Sequence, residues 1–242
     1  YKRKRMKGHF SDLLIYEIKK TLDSGYQVIL FQNRRGYAPV VSCNSCGHVP
    51  QCSNCDVSLT YHQYSKQLRC HYCSYTIGVQ PSCMAGGGLD ISHKGFGTEQ
   101  IQEEAKTLFP SASTERMDFD TTRGKYSYDQ IIDRFERKDI DILVGTQMLT
   151  KGLDFRYVNL VGVLNADQLT NFPDFRSHER SFQLLQQVSG RAGRTNIRGK
   201  VLIQTYNIDH NILKHVSSNN YKKMFEEQTY QRRIYKYPPY CN

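Results

Sequence analysis

Three Cys-x-x-Cys pairs follow one another between residues 43 and 73: Cys43/Cys46, Cys52/Cys55 and Cys70/Cys73. Cys83 comes next, and three residues beyond it, where a fourth pair would close, stands Gly86. Each pair holds two thiolates on one side of a tight turn, the separation needed for two corners of a tetrahedral metal site. Repetition at this short spacing predicts structural zinc, and two ions rather than one. The stretch 43–86 has too little apolar content for a core of its own, so metal must hold it together. A disulfide framework fits less well. It needs an oxidising compartment, and the start, Tyr1-Lys2-Arg3-Lys4-Arg5-Met6-Lys7, has the charge of a secretory signal without the apolar stretch behind it. A thioredoxin-like centre uses one such pair at a helix start, not three in a polar stretch. Cys241 stands apart, as a buried small residue or an ordinary thiol.

Around this insertion the pattern alternates between strand and helix. Ser11 is placed to cap a helix with the stripe Leu14, Ile18, Leu22, stopped at Gly25. Residues 26–31, 114–118, 140–144, 158–164 and 200–206 read as strands. Helices are expected after Thr98 (Ile101, Ala105 and Leu108 inward), from Ser127 (Ile131, Ile132 and Phe135 inward), over 177–189, and as a polar helix over 217–237. The predicted class is therefore α/β, a parallel sheet flanked by helices with a small cysteine-rich insertion. The expected organisation is a basic arm over 1–10, one discontinuous domain over 11–42 and 87–230, the insertion over 43–86, and the start of a further C-terminal domain over 231–242. No apolar run approaches the ~18 residues of a membrane span. The formal charge of +10 favours an anionic partner, nucleic acid first, although half of the excess sits in the first seven residues.

Three segments carry candidate chemistry. Asn33-Arg34-Arg35-Gly36 follows the strand ending at Phe31, and Gly145-Thr146-Gln147-Met148-Leu149-Thr150-Lys151-Gly152-Leu153-Asp154-Phe155 follows the strand ending at Val144. Open α/β sheets place their ligands at such strand ends. The third, Gln187-Val188-Ser189-Gly190-Arg191-Ala192-Gly193-Arg194, ends a helix and alternates glycines with guanidiniums suited to bidentate phosphate contact. Taken alone, its arginines would equally serve the helix dipole, and Arg34 and Arg35 would be a solvated turn.

Taken together, the segments resemble known motifs. Residues 187–194 look like motif VI of superfamily-two helicases, and residues 145–155 look like their motif V. Phe31-Gln32-Asn33-Arg34-Arg35-Gly36-Tyr37 running into clustered cysteines narrows the likeness, as do Gly95-Phe96-Gly97-Thr98-Glu99, Asp174-Phe175-Arg176-Ser177-His178-Glu179-Arg180 and Tyr237-Pro238-Pro239-Tyr240. From about Ser11 onward the chain resembles the PriA family of replication-restart DNA helicases.

That resemblance implies the second RecA-like motor lobe with its zinc insertion, from a cytoplasmic ATP-dependent enzyme of 3′→5′ polarity that remodels stalled forks and starts primosome assembly. No Gly-x-x-x-x-Gly-Lys-[Ser/Thr] loop occurs here, so the lobe that cradles ATP and Mg²⁺ is missing and the fragment should be inactive alone. By the resemblance, Arg194 would be the arginine finger, Arg191 its neighbour in phosphate sensing, and Gln187 would position the nucleotide or its water. Gly152 and Asp154 would lie near the nucleotide. Thr146, Gln147 and Lys151, with Arg34 and Arg35, would meet the DNA backbone. Implied partners are branched and single-stranded DNA, primosome proteins and single-stranded DNA-binding protein. In the family the cysteine pairs nest, Cys52, Cys55, Cys70 and Cys73 forming the inner site and Cys43, Cys46 and Cys83 belonging to the outer one. With Gly86 at the eighth position, the outer site's fourth ligand stays open: His48, His62, His71 or His93, a water, or none. The alternative reading is a zinc-dependent nucleic-acid-binding or primosome scaffold module with no motor role.

Overall fold

The computed structural model describes residues 5–32, 40–43, 46–55, 57–62, 65–86, 91–92, 97–119, 121–122, 124, 126–150, 155–193 and 199–241. Helix α1 (Asp12–Asp23) begins where Ser11 Oγ accepts the Leu14 N–H at 3.2 Å, and its Leu14 and Ile18 are fully buried. Gly25, at φ +74°, donates its N–H to Leu22 O and turns the chain out of the helix. The chain then enters β1 (Gln27–Phe31), buried at every residue as an inner parallel strand must be.

The rest of the domain follows as α2 (Thr98–Leu108), β2 (Thr114–Met117), α3 (Ser127–Glu136), β3 (Ile142–Gly145), β4 (Val158–Val163), α4 (Ser177–Ser189), β5 (Lys200–Ile203), α5 (Asn211–Ser217) and α6 (Tyr221–Ile234). The strands form one five-stranded sheet in the order β5-β4-β1-β3-β2, and every pairing is parallel. Successive strand residues point to opposite faces, which divides the core in two. Val28, Leu30, Ile142 and Val144 pack with α1 and α2, on Leu14, Ile18, Ile101 and Ala105. Ile29, Phe31, Leu143 and Val161 pack on the other side with α3, α4 and α5, against Phe135, Phe182, Leu185 and Ile212. The expected α/β class, a parallel sheet flanked by helices, is the observed one. One connection differs from the expected alternation: β3 reaches β4 through a single 3₁₀ turn, Gln147–Thr150, with no α-helix among its described residues.

The basic arm becomes ordered structure before residue 10. Met6–Lys7 pairs antiparallel with Phe10–Ser11, Phe10 is fully buried, and His9 donates its backbone N–H to Glu104 Oε2 at 2.9 Å. At the other end, α6 runs to Ile234, so the boundary expected at residue 231 falls inside a helix. Cys241 is exposed, the ordinary thiol of the two expectations. No helix among the described residues is long and apolar enough to cross a membrane.

Candidate metal centre and nucleic-acid interface

The insertion leaves and re-enters the domain through one short antiparallel pairing, Ser42–Cys43 with Ile91–Ser92. Inside it, Thr60–His62, Gln67–Arg69 and Thr76–Gly78 form a three-stranded antiparallel sheet. Its apolar core is small: Val41, Val57, Leu59 and Leu68 with Cys52 and Cys70. That is too little to hold so many polar turns without a further constraint.

The cysteine sulfurs supply one. Those of Cys52, Cys55, Cys70 and Cys73 all lie within 4.8 Å of one another, and those of Cys43, Cys46 and Cys83 do the same. Cys52 and Cys73 Sγ are 3.4 Å apart, and Cys46 and Cys83 Sγ are 3.6 Å apart. Zinc–sulfur bonds of ~2.3 Å in a tetrahedron put sulfurs roughly 3.8 Å from each other, so the inner four are spaced for one ion. The knuckle backbones turn their donors onto the sulfurs. Asn54 N–H points at Cys52 Sγ and Tyr72 N–H at Cys70 Sγ, both at 3.4 Å. Such bonds stabilise thiolate charge. Burial pushes the Cys55 thiol up to about 12, whereas the Tyr75 backbone N–H leads the groups that draw Cys73 down to about 7. Four thiols this close cannot all ionise without a cation among them. Zinc fits both clusters, and its part would be to hold the knuckles together rather than to react.

The first and third knuckles also touch the domain. Gly47, at φ +73°, lies so close to Tyr206 that a Cβ there would sit 2.3 Å from the Tyr206 Cβ. Tyr206 is itself fixed, its N–H donating to Asp167 Oδ2 at 2.9 Å. On the inner side, Tyr72 meets Phe175 edge-on with ring centroids 6.0 Å apart, and the Phe175 N–H reaches the Tyr72 hydroxyl at 3.4 Å. Tyr237 stacks on Phe175 at 4.9 Å, and the Arg232 guanidinium lies 5.1 Å from the same ring. Arg232 is paired with Glu179 on α4 at 2.5 Å. Three distant segments thus form one aromatic joint at the start of α4.

Of the candidate loops, the described parts divide between two ends of the sheet. Thr146 and Gln147 follow the carboxyl end of β3, Thr146 only 6% exposed and Gln147 half-buried. The 3₁₀ turn they open packs on α4. Gln187 is exposed on the last turn of α4, and Arg191 is half-buried just past it. Gly193 then donates its N–H to Val158 O at 3.0 Å, at the amino end of β4. The third segment therefore lies at the opposite end of the strands from Gly145, and α4 runs between the two ends. Tyr128, at the start of α3, feels the Arg191 charge, although burial, with Asp129 beside it, pushes its phenol up overall. Arg34, Arg35, Lys151, Gly152, Asp154, Arg194 and His93 lie outside the described residues.

Sequence reasoning assigned no role to Asp118. Its carboxylate, 1% exposed at the end of β2, accepts from the Thr98 hydroxyl and from the Thr121 N–H at 3.1 Å, with Arg116 Nε 3.5 Å away. It ties the start of α2 to the loop before α3. An Asp closing a predicted strand was the signal available.

Residues 52–77 match the family model described as the PriA DNA helicase Cys-rich region domain, and residues 97–196 match the helicase conserved C-terminal domain. Replication restart protein PriA of Bacillus subtilis (strain 168) is 45% identical over 231 residues, 96% of this chain and 29% of that protein. The chain belongs to the PriA family. The PriA of Synechocystis sp. (strain ATCC 27184 / PCC 6803 / Kazusa) is 47% identical over 219 residues, 88% of this chain and 26% of that protein. The chain thus spans less than a third of the length of these PriA relatives. Among solved structures, the Pyrococcus furiosus Hef helicase domain aligns with 86% of this chain and 27% of its own at TM-score 0.39 and 16% identity, too distant to build on.

The nested grouping expected of a PriA module is the one in which these sulfurs lie. Of the histidines considered for the outer site, neither ring nitrogen of His48, His62 or His71 comes within 4.8 Å of all three outer sulfurs. His62 and His71 instead face each other, centroids 5.3 Å apart, and His48 is coupled to Cys46 through its backbone N–H.

Proposed function

We propose that this chain is the second RecA-like motor lobe and zinc module of an ATP-dependent 3′→5′ DNA helicase acting at stalled replication forks and in primosome assembly. The observation that carries the reading is the aromatic joint. A four-cysteine module is fastened to Phe175, directly ahead of the helix that carries Gln187 on its last turn and leads into Arg191. Movement of that helix on nucleotide binding is thereby passed to the module, the coupling a strand-separating motor requires.

In this reading ATP sits between this lobe and a first lobe that supplies the phosphate loop and Mg²⁺, so hydrolysis needs both. Arg194 neutralises charge developing on the γ-phosphoryl group, Arg191 lies beside it, and Gln187 orients nucleotide or water. Gly152 and Asp154 line the nucleotide side of the motif V loop. Gln147 and Lys151, with Arg34 and Arg35, meet DNA phosphates without reading sequence. Thr146 is too buried to offer its side chain broadly, and its contribution is to begin the turn that carries Gln147. Zinc in both clusters holds the module in shape. The partners are forked and single-stranded DNA, primosome proteins and single-stranded DNA-binding protein, in the cytoplasm.

The test is ATP-driven unwinding of a labelled fork by the full-length enzyme, with and without serine at Cys52, Cys55, Cys70 and Cys73. Loss of unwinding with DNA-stimulated hydrolysis retained supports a module that couples the motor to strand separation. Fork binding that never responds to ATP in the unaltered enzyme supports the scaffold reading instead.

A further inference from the structure

The outer cysteine cluster ends in a gap of defined shape. Cys83 is buried, and the turn after it brings Gly86 back to Cys46, so that a Cβ on Gly86 would stand 3.8 Å from Cys46 Sγ. That is ordinary contact distance, and the Gly86 backbone is not in the left-handed region that excludes other residues. The turn therefore keeps the path of a fourth knuckle while lacking its sulfur. Cys46 and Gly86 are both exposed, so this corner opens to solvent. A shallow apolar hollow adjoins the cluster, lined by Cys43 and Cys83 together with Val41, His48, Pro50 and Met84.

We propose that Cys43, Cys46 and Cys83 form a three-thiolate zinc site whose fourth position, at Gly86, takes a ligand from solution, a small thiol being the best match. This rests on the zinc reading above. The chemistry follows from charge and softness. Three thiolates on Zn²⁺ leave one net negative charge and one tetrahedral position, and a borderline-soft ion prefers sulfur there over oxygen. A protein-supplied imidazole is not at hand among the described residues: the ring nitrogens of His48, His62 and His71 fall outside the cluster. The inner site, closed by four cysteines, has no such position and serves as an internal reference.

Cobalt(II) in place of zinc reads the coordination directly, because sulfur-to-cobalt charge-transfer absorption grows with the number of bound thiolates. The chain is expected to bind two cobalt ions. Adding 2-mercaptoethanol in millimolar excess should raise that absorption by roughly one-seventh, as seven thiolates become eight. Gly86→Cys should start at the raised level and not respond to the thiol. Gly86→Ala, whose Cβ has room, should respond as the unaltered chain does. Two cobalt ions with no thiol response would mean that a protein ligand or water holds the fourth position against the thiol, which overturns the proposal and leaves the zinc reading intact. One ion, held by the inner site alone, overturns it as well. No ion at all sinks both.

Discussion

Phe175 and Tyr237 stack with their ring planes 20° apart, and Tyr72 of the third cysteine pair closes edge-on against both. The module and the polar C-terminal helix therefore share one fastening to the sheet domain. Phe175→Ala removes the ring common to both contacts and should cost about 0.5–1.5 kcal/mol at the joint beyond the lost area burial. Tyr237→Phe keeps the stack and should cost far less. Hydrogen exchange over residues 65–79 reads the difference: faster exchange in Phe175→Ala, with the β1 and β3 amides unchanged. Equal protection in the two variants would mean that the rings do not hold the module.

The outer knuckle depends on Gly47. An alanine there meets Tyr206 and must also adopt a positive φ, so Gly47→Ala should destabilise the chain by about 1–3 kcal/mol. Its zinc, counted after mild chelation, should fall by one ion while the inner ion stays. Shortening Tyr206 to alanine in the same chain leaves its Cβ in place, and with it the closest overlap and the backbone strain, so it should not rescue the variant.

Much of the domain was legible in the sequence because its signals are local. Ser11, the stripe Leu14-Ile18 and Gly25 specify α1 within one stretch, and the apolar run 26–31 suits a buried strand. Cysteine spacing predicts the pairs, whereas which pairs share a site is implied by the family resemblance and not by spacing. What escaped is long-range. Tyr72, Phe175 and Tyr237 meet only once the chain is folded, and each alone reads as an ordinary surface aromatic. The same holds for Gly47 against Tyr206. Motif periodicity placed Gln187 to Arg194 at a helix end, but not at which end of the strands that helix end lies. That followed from Gly193 pairing with Val158.

His210 gives a pH signature. Its Nδ1 accepts the Ile212 N–H at 3.2 Å as the cap of α5, a role that only the unprotonated nitrogen fills. Burial, with the His178 ring 5.1 Å away, lowers its pKa from 6.5 to about 4. The unfolded chain binds this proton more readily than the folded one. Stability from this residue is therefore complete above pH 6.5 and is lost as pH falls toward about 4. The loss should be about 2 kcal/mol after allowance for partial solvent screening. Denaturant midpoints across that window should slope downward with acid, and less steeply in His210→Asn, which can still cap.

On the proposed motor reading this lobe completes an ATP site formed with another lobe, and Arg194 is the residue on which that turns. DNA-stimulated ATP hydrolysis should be measured in the full-length enzyme carrying Arg194→Ala, alongside binding to single-stranded DNA. Hydrolysis should fall by on the order of 10³-fold or more, with DNA affinity close to that of the unaltered enzyme. Near-normal turnover with intact DNA binding would contradict it.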